Sequence, residues 1–258
     1  MKPLLTLKDI SYSYHTMDGE IPALSHIQLS VSANEFIAIV GPSGCGKSTL
    51  LSIIAALIQP EIGEIDYHVH TKDAPKIQIG YMLQKDHLLE WRSVYENVLL
   101  GLEINHMKTK ANLERADLML EKYGLASFRN QKPSSLSGGM RQRVALIRTL
   151  VLNPDVLLLD EPFSALDYQT RLSVSDDIYQ IIRREGKTAI LVTHDLSEAI
   201  SLGDTVYVLS KRPSTIIKEV NIVMSDDSHT PLAKRNAPEF KQYFNLLWKE
   251  LNHESNKS

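Results

Sequence analysis

Nine residues, Gly41-Pro-Ser-Gly-Cys-Gly-Lys-Ser-Thr49, constrain this chain more than any other stretch. The apolar run NEFIAIV precedes them and the apolar run LLSIIAALI follows. The first reads as a buried strand and the second as a packed helix. A strand that turns through glycines into a helix start aims several backbone N–H groups at one point, where the helix dipole adds positive potential. That is an anion site. The spacing G-x-x-x-x-G-K-[ST] falls on Gly41, Gly46, Lys47 and Ser48, so the expected anion is the phosphate tail of a nucleotide. Pro42, Ser43, Gly44 and Cys45 complete the cradle. Lys47 is expected at the β- and γ-phosphates, Ser48 on magnesium and Thr49 near the α-phosphate.

A second cluster lies far along the chain. VLLLDEP ends an apolar strand in Asp160 and Glu161, where phosphoryl-transfer sheets keep their chemistry. Asp160 is expected to hold magnesium and Glu161 to polarise an attacking water. The runs PDVLLLDEP, KTAILVTHD and DTVYVLSKR read as buried strands alternating with the helices YQTRLSVSDDIYQIIRRE and LSEAISLG. Such alternation predicts an α/β core with a mostly parallel sheet. Two period-two stretches, one from Leu5 to Tyr14 and one from Ile27 to Val31, predict antiparallel strands at the N-terminus, with HTMDGEIP as the loop between them. IQIGYMLQ predicts a further strand. From about 85 to 153 the pattern turns helical, with Ser93 as an N-cap and Gly124 closing the helix KANLERADLMLEKYGL. That block reads as an insertion. The expected division is therefore a nucleotide-binding domain over 1–225, with the helical block at about 85–153 inserted in it, and a short polar tail over 226–258 that ends in a helix.

Bulk properties narrow the setting. A chain of 258 residues with 43% apolar and 23% charged residues can bury one substantial core. Its formal net charge of −3 gives no sign of a nucleic-acid partner. No apolar run approaches the ~20 residues needed to span a bilayer, and the first residues do not read as a signal peptide. A cytoplasmic protein is expected, with any membrane role exercised through partners. The single cysteine, Cys45, excludes an internal disulfide. It reads as a small filler, although the positive potential at a helix start favours thiolate and predicts attack by maleimides.

LSGGMRQR, Leu136 to Arg143, makes a second helix start able to meet phosphate, because Ser137, Gly138 and Gly139 open MRQRVALIRTLVL. Here the sequence resembles the ATP-binding cassette family. The resemblance runs from about Leu4 to Lys211 and joins the P-loop, MLQ, LSGG, LLLDEP, SALD and VTHD in the family's order. It implies the P-loop NTPase fold with an N-terminal antiparallel β subdomain and an inserted helical one. It also implies ATP and magnesium as ligands, and a head-to-tail pair of cassettes in which Ser137, Gly138 and Gly139 close over the partner's ATP. On the same basis Gln84 senses magnesium and the γ-phosphate, Glu161 is the general base, and His194 meets the γ-phosphate. Asp167 contacts the partner cassette. An aromatic residue stacks on adenine, Tyr14 being preferred and Tyr12 the alternative. A cassette without fused membrane helices resembles the importer arrangement, which implies separate permease subunits, an external solute-binding protein and a place on the cytoplasmic face of the membrane. LLEWRSVYENVLLGLE is similar to the nitrate, sulfonate and taurine importer group, from which Glu90 departs, since that group shows Leu-Pro-Trp there. Related cassettes serve thiamine precursors, and others do mechanical work on envelope proteins. Leu88, Leu89 and Trp91 are candidates for a groove that takes a permease helix.

Overall fold

The computed structural model describes residues 3–68, 77–225 and 230–255. The chain opens with the hairpin β1 (Leu5–Thr16) and β2 (Gly19–Val31), antiparallel with Leu7 opposite Leu29 and Thr16 opposite Gly19. The expected loop HTMDGEIP is mostly strand, and only Met17 and Asp18 form the turn. Gly19, at φ +129, takes a backbone conformation that L side chains rarely adopt, and this lets a two-residue turn close the hairpin. The first core strand, β3 (Phe36–Val40), leads through the glycine-rich loop into α1 (Lys47–Ile54). Next come β4 (Ile62–Tyr67), which pairs with the free side of β1, and β5 (Ile79–Met82). The helical block follows as α2 (Val94–Val98), α3 (Leu100–Ile104), α4 (Lys110–Lys122) and α5 (Gly138–Leu150). Ser93 caps α2 in a reciprocal box with Glu96, and Gly124 follows α4 at φ +72.

The core then alternates β6 (Val156–Asp160), α6 (Tyr168–Arg184), β7 (Thr188–Val192), α7 (Leu196–Leu202) and β8 (Thr205–Leu209), with β9 (Ile216–Asn221) turning back along the edge. The large sheet has the order β5-β6-β7-β3-β8-β9, parallel except for β9. Every residue of β3, β6, β7 and β8 is buried, as expected of parallel strands covered on both faces. On one face Phe36, Leu157 and Leu191 pack with Val144 and Ile147 of α5 and Ile178 of α6. On the other, Ile39, Leu158 and Ile190 pack with α1 and the small sheet β2-β1-β4. The mostly parallel α/β core, the antiparallel subdomain and the helical block of the sequence reading are thus all present.

Beyond Ser225, residues 226–229 of the expected tail lie outside the described residues. Two helices follow, α8 (Pro231–Asn236) and α9 (Phe240–Ser255), and Leu247 of α9 is fully buried against Ala199 and Ile200 of α7 and Val208 of β8. This C-terminal segment contributes to the core of the α/β domain.

Candidate active site

The P-loop sits at the C-terminal edge of β3. Gly44 and Gly46 carry φ values of +74 and +112, which let the backbone curl without a Cβ in the way. Gly41 is there for space, since a Cβ would stand 2.9 Å from Cys45 Sγ and 3.0 Å from Leu209 Cβ. No side chain caps α1, so its first N–H groups are left to whatever anion the loop encloses. Lys47 is buried at 7% exposure, and its Nζ donates to the carbonyls of Gly41 at 2.8 Å and Pro42 at 2.9 Å. Ser43 and Gly44 form the exposed tip. The expectation of a reactive thiol fails, because Cys45 is only 2% exposed and packs among Ile39, Leu50 and Leu209. The loop turns its side chain inward, away from reagents in solvent.

Asp160 and Glu161 stand at the end of β6, two strands from β3. Asp160 is buried; its Oδ1 accepts from Ser48 Oγ at 3.1 Å and its Oδ2 from Tyr81 Oη at 3.4 Å. Burial holds the Asp160 carboxyl above the usual range, and the neighbouring Glu161 charge adds to this. Tyr81 is pushed up to about 12, first by burial and then by Asp160. Glu161 takes φ 44, a left-handed conformation uncommon for a residue with a Cβ, and its N–H donates to the Val192 carbonyl. This turn aims its carboxylate at the loop after β7, where Oε2 lies 3.1 Å from His194 Nδ1.

The loop that carries His194 is itself pinned. Thr193 Oγ1 donates to the buried Glu198 carboxylate at 2.6 Å and accepts from the Asp195 N–H at 3.0 Å. Gln84 Nε2 reaches Ser164 Oγ at 3.4 Å, and Ser164 Oγ in turn donates to the Glu161 carbonyl. Tyr81, Ser164, Thr193 and Glu198 were not singled out in the sequence. Their only signal was adjacency to IGYMLQ, DEPFSALD and VTHDLSEA, which identifies no role.

Of the two tyrosines, Tyr12 packs on the core beneath the small sheet, whereas Tyr14 is 37% exposed and its Oη lies 2.8 Å from Thr49 Oγ1. Their rings meet edge to face at 5.1 Å. Tyr14 is therefore the one beside the phosphate loop. The structure does not bring the LSGG segment to that loop within one chain. Ser137 caps α5 by accepting from the Met140 N–H. Gly139 lets α5 meet α6, because a Cβ there would stand 2.6 Å from Val174 Cγ2. Helix α5 packs beside β5, which β6 and β7 separate from β3. Asp167 caps α6 by accepting from the Thr170 N–H at 3.1 Å, and hydrogen bonding from the Thr170 hydroxyl and then from this N–H holds its carboxyl below the usual range.

A model of the ABC transporter family matches residues 24–164. The chain belongs to the ABC transporter family. It is an ATPase cassette of that family, and its relatives match along nearly its whole length. An uncharacterized ABC transporter ATP-binding protein of Bacillus subtilis, YtlC, is 43% identical over 96% of this chain and 95% of its own. The taurine import ATP-binding protein TauB of Roseobacter denitrificans is 36% identical, with coverage of 95% and 94%. The nitrate import ATP-binding protein NrtD of Synechocystis is 37% identical, with coverage of 93% and 91%. Among solved structures, the ATP-binding cassette MJ0796, dimeric in a post-hydrolysis state with ADP and Pi, is similar at a TM-score of 0.70 and 33% identity, over 85% of this chain and 99% of that one.

The segment between β5 and α2 fastens the cassette's sheet to its helical block. Arg141 of α5 grips Asp86 with Nε at 2.8 Å and Nη2 at 3.0 Å, and its Nη1 lies 2.7 Å from Glu90. Arg148, about two turns further along the same face of α5, donates to the carbonyls of Asp86 and His87. Leu88 is buried in the helical core, so it does not line an open groove, whereas Trp91 is 73% exposed.

Proposed function

We propose that this chain is the ATP-hydrolysing subunit of an importer for a small solute of the taurine, sulfonate or nitrate kind. It works as a head-to-tail homodimer bound to separate integral membrane permease subunits at the cytoplasmic face, and an external solute-binding protein delivers the cargo. The observation that carries this reading is the match, over more than nine-tenths of the chain, to ATP-binding proteins named for taurine and nitrate import. Among the described residues no helix is long and apolar enough to cross a membrane, which supports assigning the solute pathway to other subunits.

In each site the P-loop N–H groups and Lys47 take the phosphates, and Tyr14 offers its ring to adenine. Glu161 is the base that accepts the proton of the attacking water, and His194, held beside it, meets the γ-phosphate. Magnesium fits the residues present. Ser48 and Asp160 bring a hydroxyl and a carboxylate oxygen within 3.1 Å of each other, hard donors of the kind this ion takes, with phosphate and water supplying the rest. When bound, the ion neutralises charge on the phosphates; Gln84 lies at the edge of the same group. The partner's Ser137, Gly138 and Gly139 complete the γ-phosphate shell and its Asp167 lies at the shared interface, so ATP joins the two cassettes and hydrolysis releases them. Uptake of labelled taurine, alkylsulfonates and nitrate in a strain deleted for this chain tests the assignment. Loss of one uptake, restored by the wild-type chain and not by Glu161→Gln, is expected. Unchanged uptake of all three solutes refutes the importer reading for this solute class.

A further inference from the structure

The loop between β8 and β9 backs directly onto the P-loop. Arg212 Nη2 donates to the Gly44 carbonyl at 2.5 Å, and the fully buried Ser214 Oγ donates to the Cys45 carbonyl. Lys47 holds the carbonyls of Gly41 and Pro42 in the same way. Four carbonyls of the loop are thus drawn onto protein donors. The peptide unit is a rigid plane in which C=O and N–H point in opposite senses. Holding the Cys45 carbonyl on Ser214 therefore turns the Gly46 N–H away from Ser214, and holding the Gly44 carbonyl on Arg212 fixes the plane before it, whose Cys45 N–H closes the loop on the Pro42 carbonyl at 3.3 Å. A peptide free to flip would present a carbonyl to an anion and repel it.

Ser214 is anchored in turn. Its N–H donates to the Ala23 carbonyl at 2.9 Å and its carbonyl accepts from the Ser25 N–H at 2.8 Å, so its backbone bridges to β2. Gly46 rests on the same strand, since a Cβ there would stand 3.0 Å from Leu24 Cδ2. Strand β2 pairs with β1, where Tyr14 lies opposite Ile21.

We propose that Arg212 and Ser214 are positioning residues for nucleotide binding. They hold the rear carbonyls of the P-loop, Ser214 so that the Gly46 N–H faces the phosphates and Arg212 so that the turn before it keeps its shape, and Ser214 ties that loop to the sheet carrying Tyr14. This rests on the P-loop being the phosphate site. Arg212 is exposed, so its replacement spares the core.

The test is titration of the full chain with ADP and ATP, alongside steady-state hydrolysis. Loss of one such hydrogen bond predicts about fivefold weaker binding of both nucleotides for Arg212→Ala, and about five- to tenfold for Ser214→Ala. KM rises accordingly while kcat stays near the wild-type value, because the reacting groups are untouched. Arg212→Gln keeps an N–H donor without the charge and is expected to recover most of the loss. Wild-type affinity in Arg212→Ala overturns the proposal. So does Arg212→Gln binding as weakly as Arg212→Ala with the deficit vanishing at high salt, since bulk charge then explains the effect. Should Ser214→Ala fail to fold, the Arg212 pair decides alone. Lys47→Ala separates this proposal from the reading beneath it. Weakened binding there, with normal binding in Arg212→Ala, removes only the positioning role. Normal binding in Lys47→Ala removes the phosphate site and this inference with it.

Discussion

Replacing Glu161, the proposed base, by Gln should remove that function while changing little else. The side chain keeps its length, and the amide can still meet His194 Nδ1, now 3.1 Å from Oε2. The turn that positions it, with φ 44 and the N–H bonded to the Val192 carbonyl, belongs to the backbone and stays. A general base contributes about 10²–10⁴ in rate, or about 3–5 kcal/mol of barrier, so single-turnover hydrolysis should slow by that factor. Nucleotide binding should move the other way. After burial, the Glu161 charge is what raises the Asp160 carboxyl, and a neutral neighbour makes the charged form of Asp160 easier to keep. Magnesium-ATP should therefore bind at least as well as in the wild type, and the ATP-bound dimer should persist. Single-turnover hydrolysis with protein in excess gives the rate, and size exclusion with ATP gives the dimer. A hydrolysis rate close to wild type refutes the assignment of Glu161 as base. A variant that loses ATP affinity refutes the electrostatic argument.

Asp160→Asn tests the strain at the next position. A buried carboxyl with a raised pKa favours its protonated form in the fold, so its contribution is present below the ordinary 3.8 and is lost as pH rises through the raised value. The neutral variant should melt above the wild type at neutral pH, with the gap closing on acidification, while magnesium-dependent hydrolysis is lost; differential scanning calorimetry across pH reads both limbs. Lys47→Ala and Ser137→Arg, each inactive alone, should regain part of their single-turnover activity when co-assembled, because the mixed dimer keeps one site with both halves intact. Mixed dimers with no activity refute the shared site. Cys45, 2% exposed, should label with maleimide only at the rate of unfolding, and fast labelling of native protein would show the loop to be open in solution.

What the sequence made legible was local. Gly41 to Thr49 dictates strand, turn and helix within one short window, and Val156 to Glu161 ends in its acids wherever the sheet places it. The antiparallel strands were legible but the reach of their hairpin was not, because His15, Glu20 and Pro22 look like loop residues, although they lie on a sheet extension where polar side chains face water. Cys45 misled because helix-start potential is a property of sequence position, whereas the direction of its side chain depends on Leu209 and Ile39 from distant strands. Nothing in residues 210–215 announces that they touch a loop some 168 positions earlier. Contacts of that separation leave no period or spacing to read. The left-handed turn at Glu161 escaped for the same reason, since it is enforced by Val192 on the neighbouring strand.

The grip of Arg141 on Asp86 and Glu90 has a mechanical consequence. A flexible tether between β5 and α2 would absorb a push as slack, since a loose chain of that length stretches before it pulls. Here the two-pronged guanidinium on Asp86 and the two carbonyls held by Arg148 make the segment a stiff bracket riveted to α5. A force applied at exposed Trp91 should therefore reach Ser137, one turn from Arg141 at the start of the same helix, as displacement rather than be lost as slack.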